Sequence, residues 1–502
     1  MFTHLQRLSI PFFDRTPVGR LITRVTSDVE ALNELFTAGV VAGVGDLFTL
    51  VVISVVMVVI DWRLALAAFA AIPFVLLVSH VFRKNVREAY RDVRIRLARI
   101  NAFLQERLTG MRVVQLFGRE ADEARRFDES NRAHLNAHLR SIRIYALYFP
   151  AIEILTSVAL ASLIVAAAGR VTGNTLTVGT VAAFLQFVRR FFQPLQDLSE
   201  KYNILQGAMA SSERIFQLLD THPTIADCGL LIADEEGFAL RNPQSAVTVE
   251  FHDVWFAYSD PDWVLKGVSF RARPGETVAL VGHTGAGKTT IISLLLRFYD
   301  PQRGRITIAI GDEPARDIRD LPLETLRSLI GYVQQDIFLF AGDIASNIRL
   351  SAPLSDDAVV AAATQVGADR VIRRLAKGYA HELGERGASV SVGERQLLSF
   401  ARAIAADPAL LLLDEATSAV DSEIEAEIQR AIGVLMSGRT TIAVAHRLST
   451  VMRADLILVL HHGTIRERGT HRELLDRGGL YERLYRLQAG LAAGDHQTAR
   501  AV

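Results

Sequence analysis

The chain of 502 residues contains a single cysteine, Cys228, so no internal disulfide can form, and there is no C-x-x-C pair or Cys/His cluster to scaffold a metal. Cys228 is expected to be an inert thiol, with the chemistry of the chain on the reducing side of any membrane. Charge bias is missing as well. The 55 basic residues are balanced by 55 acidic ones, which argues against a nucleic-acid partner drawn by a global basic field and against an acidic disordered tail. No secretory signal is visible, because Met1 leads into a polar, amphipathic stretch.

Long apolar runs are abundant, and the mean hydropathy is positive at +0.23. Residues 37–60 and 64–82 are nearly unbroken Val, Leu, Ile, Ala and Phe, separated by Asp61-Trp62-Arg63. Each run reaches about 20 residues, enough to cross a bilayer. Runs at 145–168 and 178–195, the latter interrupted by Arg189 and Arg190, make four expected spans. A buried soluble helical core is the competing reading, and four long runs with short breaks disfavour it. Basic residues outnumber acidic ones between positions 83 and 143, whereas the links at 61–63 and 169–177 carry little charge. That side is therefore cytoplasmic, and an even number of crossings returns the chain to it.

Apolar spacing continues past Phe82 through Val86, Tyr90, Val93, Leu97 and Phe103, which predicts one helix over 64–108, about 65 Å long, projecting into the cytoplasm. Gly110 and Gly118 bracket a short elbow before a charged helix climbs back from Arg119. Pro73, Pro150 and Pro194 are tolerable kinks. Ionisable residues at membrane depth, Asp46, Glu153, Arg189 and Arg190, are candidates for substrate contact, with acid–base pairing or a place outside the hydrocarbon as the alternative.

Residues 282–290 read GHTGAGKTT, a full G-x-x-x-x-G-K-[ST] phosphate loop between an apolar run at 277–281 and a helix-like run at 291–296. The expected binding residues are Gly282, His283, Thr284, Gly285, Ala286, Gly287, Lys288, Thr289 and Thr290. The glycines allow backbone N–H groups to turn onto phosphate oxygens, Lys288 supplies charge for the β- and γ-phosphates, Thr289 is placed to hold Mg²⁺, and the helix start adds a positive dipole end. ATP or GTP is the implied ligand.

With these membrane stalks and this loop, the C-terminal half resembles the nucleotide-binding domain of an ATP-binding cassette (ABC) exporter. The resemblance implies that Tyr258 in VTVEFHDVWFAY stacks on adenine and that Gln335 in YVQQD touches Mg²⁺. SVGERQ resembles the signature motif, with Ser391 and Gly393 facing a γ-phosphate and Glu394 beside them. LLLLDE matches Walker B, giving Asp414 as a Mg²⁺-side carboxylate and Glu415 as the group that orients water. Asp421 ends SAVD, a loop linking two active sites, and His446 in AHRLST matches the switch histidine. Catalysis would rest on Glu415, His446, Gln335 and Lys288; Thr289, Gln335 and Asp414 would hold the metal. Stretches near the N-terminus, at the elbow (ERLTGMRVVQLFGRE) and at SSERIFQLLD resemble the cytoplasmic loops and span exit of such exporters.

The signature departs from LSGGQ at Val390, Val392 and Glu394. Family members have six spans per half, and Met1 falls where the second would be ending, so the chain is expected to lack the first pair. The fold class that follows is multidomain: an all-α polytopic transmembrane domain with long cytoplasmic stalks, then an α/β P-loop ABC nucleotide-binding domain. Expected boundaries are 1–210 for the transmembrane domain, 211–245 for a linker, 246–488 for the nucleotide domain and 489–502 for a frayed tail. The resemblance implies a multi-pass protein of the cytoplasmic membrane with its nucleotide domain in the cytoplasm. It would bind ATP and Mg²⁺, pair with a second half-transporter and export an amphipathic drug or lipid. A nucleotide-gated channel or regulator using the same cassette is the alternative.

Overall fold

The computed structural model describes residues 1–173, 176–225, 247–350, 354–384, 387, 389–414, 422–445 and 448–488. The chain divides into two compact units, one of Met1–Gln6 with Thr16–Thr221 and one of Arg7–Arg15 with His222–Val502.

The first unit is helical. After short helices Val18–Val25 and Ser27–Glu34 and a π-helical stretch Leu35–Val41, Ala42–Ile60 forms a regular helix. Asp61 then caps the next helix, Trp62–Phe69, by accepting from the Arg63 and Leu64 N–H groups at 3.0 Å each. The single helix expected over 64–108 is instead two, Trp62–Phe69 and Ile72–Thr109. Pro73 has no N–H to give and its ring crowds the carbonyl of Phe69, so the chain tightens at Ala70 and Ala71 and restarts. The longer piece has 38 residues, or about 57 Å at the usual rise. Gly110 ends it, Met111–Leu116 makes the expected elbow, and Gly118 at φ +59° turns the chain into Glu120–Thr172, which runs through Pro150 unbroken. Val178–Leu219 is likewise one helix through Pro194 and extends well beyond the predicted fourth run.

Three helical stretches among the described residues are long and apolar enough to span a bilayer: Val18–Ile60, Trp62–Thr109 and Glu120–Thr172. Their apolar surface divides between two solvents. Met57, Leu64, Val75, Ile152 and Leu163 pack into a core with Phe184 of Val178–Leu219, while Val51, Val59, Leu66, Leu77, Leu147 and Val165 remain exposed, as lipid-facing side chains should be. Ion pairs join helices that lie far apart in sequence. Arg170 reaches Asp61 at 2.6 Å, and Arg214 binds both oxygens of buried Asp28, at 2.5 and 3.0 Å, with the Ser211 hydroxyl also donating to it. Glu153, Arg189 and Arg190 are exposed.

The second unit is α/β. Its strands are β1 (Val247–Ala257), β2 (Trp263–Ala272), β3 (Thr277–Val281), β4 (Arg303–Ile310), β5 (Arg316–Asp317), β6 (Ile330–Val333), β7 (Gly342–Asp343), β8 (Glu382–Leu383), β9 (Leu410–Asp414), β10 (Thr440–Val444), β11 (Leu456–His461) and β12 (Thr464–Gly469). An antiparallel sheet has the order β2-β1-β4-β5, and a mainly parallel sheet has the order β12-β11-β3-β10-β9-β6, with β12 its antiparallel edge. Every residue of β3, β9 and β10 is buried, which is why these strands read as continuous apolar runs rather than alternating ones. In such a sheet, ligands gather outside the carboxyl ends of the strands. Here those ends deliver the phosphate loop from β3, Asp414 from β9 and the approach to Gln335 from β6.

Candidate active site

The register across the parallel sheet sets the site. Val444 of β10 lies beside Leu280 of β3 on one side and Asp414 on the other, and Val333 of β6 beside Leu413. The last residues of these strands therefore surround one point, above which the loop 282–287 turns into the helix Lys288–Leu295.

The loop glycines do different jobs. Gly285 and Gly287 have φ of +80° and +100°, which an L residue enters only at a cost. A β-carbon on Gly287 would also come within 2.6 Å of Leu265 Cδ2, and one on Gly282 would run into the Leu460 carbonyl, whereas Gly285 faces open space. Two of the three glycines are thus required by the protein packed behind the loop, in addition to any phosphate in front of it.

Lys288 is only 6 % exposed. Its ammonium donates to the Gly282 and His283 carbonyls at 2.7 and 3.0 Å, so it lies folded against the loop. Burial lowers its pKa, and the Asp414 carboxylate partly opposes that. A buried cation with two carbonyl partners and one nearby carboxylate can accept an anion at the loop, because phosphate oxygens would supply the missing negative charge. Thr289 Oγ1 donates to Asp414 Oδ1 at 3.4 Å, which places two hard oxygen donors together and fits a magnesium ion.

Tyr258 is 41 % exposed and stands edge-on to Phe256 and Tyr299, with ring centroids 4.8 and 5.0 Å apart. Its hydroxyl lies 3.2 Å from Thr290 Oγ1, a tether to the phosphate-loop helix. Sequence reasoning missed what lies behind this aromatic cluster. The Tyr299 hydroxyl donates to Asp14 and Arg15 donates to the Tyr258 carbonyl at 3.4 Å, so the segment Arg7–Arg15 belongs to this unit although it precedes the first span. Burial and the Asp14 carboxylate both raise the Tyr299 phenol well above its ordinary range.

Gln335 is exposed just beyond β6. The stretch after it is tied to the helix Val392–Ile404 by Arg402, whose guanidinium donates to the carbonyls of Phe338 and Asn347 at 2.9 and 2.8 Å; burial lowers its pKa. The Asn347 side chain closes on both backbone groups of Phe340. No local pattern marks Arg402, since its partners lie more than fifty residues away in sequence.

At the signature, Ser391 caps the helix Val392–Ile404 and Glu394 answers it. The Glu394 N–H donates to Ser391 Oγ at 3.3 Å, and the Ser391 N–H donates to Glu394 Oε2 at 2.8 Å. This is the capping box that S-x-x-E encodes. Val392 is 50 % exposed and Gly393 buried. Replacing Glu394 by alanine should cost about 1 kcal/mol and lower the melting temperature by about 2–4 °C, whereas Glu394→Gln should cost less; thermal unfolding of both variants checks this. Glu415, Asp421 and His446 lie outside the described residues.

The comparisons with known proteins agree with this geometry. Residues 1–195 match the model of the ABC transporter transmembrane region, and residues 265–418 match that of the ABC transporter. The chain belongs to the ABC transporter family and is an ATP-binding, ATP-hydrolysing membrane exporter. It is 40% identical over 500 residues to an uncharacterized ABC transporter ATP-binding protein, YknV, of Bacillus subtilis, spanning 99% of this chain and 80% of that one. It is 36% identical to an ATP-dependent lipid A-core flippase of Syntrophus aciditrophicus over 97% of this chain and 79% of the flippase. A solved bacterial Atm1-family ABC exporter with ATP bound matches with a TM-score of 0.74 and 30% identity over 98% of this chain and 84% of that one.

Proposed function

We propose that the chain exports an amphipathic or hydrophobic molecule, a lipid or a drug, across the cytoplasmic membrane, hydrolysing ATP at sites shared between two half-transporters. The observation that carries the shared site is the signature helix: its N-terminus, with Ser391 and Val392, is exposed rather than covered by the chain's own residues. An exposed serine-capped helix start is suited to meeting the γ-phosphate held by a second copy or a paralogue. Relatives named as a lipid A-core flippase, a fatty acid transporter of Mycobacterium tuberculosis and a probable multidrug resistance transporter of Bacillus subtilis support the substrate class.

The roles follow from the residues. Gly282 to Thr290 would cradle the triphosphate with Lys288 bearing the charge, and Tyr258 would stack on adenine. Thr289, Asp414 and Gln335 would hold Mg²⁺, which when bound neutralises charge on the β- and γ-phosphate oxygens. Glu415 would accept a hydrogen bond from the attacking water, and His446 would bond the γ-phosphate. Asp421 would link the two sites, with Ser391, Gly393 and Glu394 presented by the partner copy. The domain boundaries of this reading are those expected from the sequence, with the nucleotide domain in the cytoplasm.

The test is ATPase activity of the protein reconstituted in liposomes. Stimulation by lipid or amphipathic drug is expected in the wild type and a loss of at least 10²-fold in Glu415→Gln with nucleotide binding retained. Nucleotide-dependent ion conductance without substrate-stimulated turnover would instead establish the channel reading.

A further inference from the structure

Three imidazoles stand on the flank of the phosphate loop. His283 is the second residue of the loop, and His461 and His462 end β11 and begin the turn to β12. The His283 and His461 rings lie 6.3 Å apart between centroids, and those of His461 and His462 lie 4.2 Å apart. The turn that carries the pair is held rigidly. The Lys266 N–H donates to the Gly463 carbonyl at 2.8 Å, Thr464 Oγ1 donates to the His461 carbonyl at 3.0 Å, and His462 and Gly463 occupy the left-handed region at φ +48° and +80°. The Leu460 carbonyl sits against Gly282, so the end of β11 and the start of the loop are in direct contact.

The charged groups that act on His461 share one sign. His462, Arg466 and His283 act on His461, and the Lys288 ammonium bonds the His283 carbonyl. Burial first, then His462, Arg466 and His283, hold the His461 imidazole below its usual range. Without an anion, then, His461 resists protonation. A di- or triphosphate in the loop brings several negative charges to the same side, and the balance reverses.

We propose that His461, flanked by the His283 and His462 rings, makes nucleotide binding proton-linked: His461 takes up a proton when phosphates enter the loop, so affinity rises as pH falls through the imidazole range. The linkage rests on the loop holding nucleotide. Its sign is fixed, since the bound state favours the charged imidazole and the free state disfavours it. Cytoplasmic acidification would then strengthen nucleotide occupancy without any change in the hydrolytic residues.

The experiment is calorimetric titration of MgADP into the detergent-solubilised full chain at about pH 8 and about pH 6, for the wild type and for His461→Gln/His462→Gln. The phosphate's own titration is common to both proteins, so the ratio of their affinities isolates the cluster. That ratio should shift by about three- to tenfold in favour of the wild type at the lower pH, the size of one charge acting through an intermediate dielectric. Repeating the wild-type titration in buffers of different ionisation enthalpy reads proton uptake directly and needs no variant; uptake on binding is expected. A constant ratio, or binding without proton uptake near pH 6.5, overturns the proposal while leaving the nucleotide site intact. Failure of the wild type to bind MgADP at either pH overturns the nucleotide site itself.

Discussion

Lys288→Met should abolish nucleotide-induced stabilisation and lower ATP hydrolysis by about 10²- to 10³-fold, while the nucleotide-free protein melts at or slightly above the wild-type temperature. The two halves of this expectation share one cause. In the free protein the ammonium is buried at 6 % exposure, and its interactions are with two loop carbonyls and one carboxylate. Burial disfavours the charge, and a methionine of similar length fills the space without that penalty. Once phosphates arrive, the same buried charge acts through a low dielectric and becomes the main electrostatic anchor. The pH dependence has a definite sign. Because the folded pKa of Lys288 is lowered, the unfolded chain binds more protons between that value and 10.5, and the lysine's contribution to stability rises with pH across that window. Melting curves with and without MgATP, at neutral and alkaline pH, check both halves; a free-state melting temperature well below wild type would show that Lys288 supports the fold instead.

Gly287→Ala should destabilise the second unit by about 2–5 kcal/mol, and Gly285→Ala by only about 1 kcal/mol. Both positions have positive φ, so both pay for backbone strain. Only Gly287 also has Leu265 Cδ2 at 2.6 Å from where the new methyl would lie, and Leu265 is fully buried with no room to retreat. In a domain of this size the difference corresponds to roughly 5–10 °C in melting temperature, measurable by differential scanning fluorimetry of the two variants side by side. Equal losses would mean that strain alone decides these positions. This separation was not legible in GHTGAGKTT, where the glycines look equivalent.

Much of the site could nevertheless be read from the sequence, because its chemistry is local. A phosphate loop needs its glycines, lysine and threonine within nine residues, and the strand and helix on either side are set by apolar runs. Walker B is similarly a buried strand ending in a carboxylate, and the S-x-x-E of the signature is a helix start written in four residues. The stalk elbow was equally visible from Gly110 and Gly118. The helix break at Ala70 and Ala71 could have been read from Pro73, but apolar spacing alone carries on through it.

Other features depend on partners that no local pattern connects. Arg402 joins the stretch after Gln335 to the signature helix, Asp28 is clamped by Arg214 and Ser211, and Asp61 both caps its helix and pairs with Arg170. Asp14 and Arg15 lie against Tyr299 and Tyr258 across more than two hundred residues of sequence.

The sequence by itself determined which residues can carry phosphate and metal chemistry and which stretches can lie in lipid, since these follow from side-chain type and spacing along a few turns of backbone. Tertiary structure alone decided which charges are buried, which glycines are crowded and which histidines meet beside the loop. Those are properties of distance in space, and the sheet order β11-β3-β10 brings together strands separated by more than 150 residues of chain.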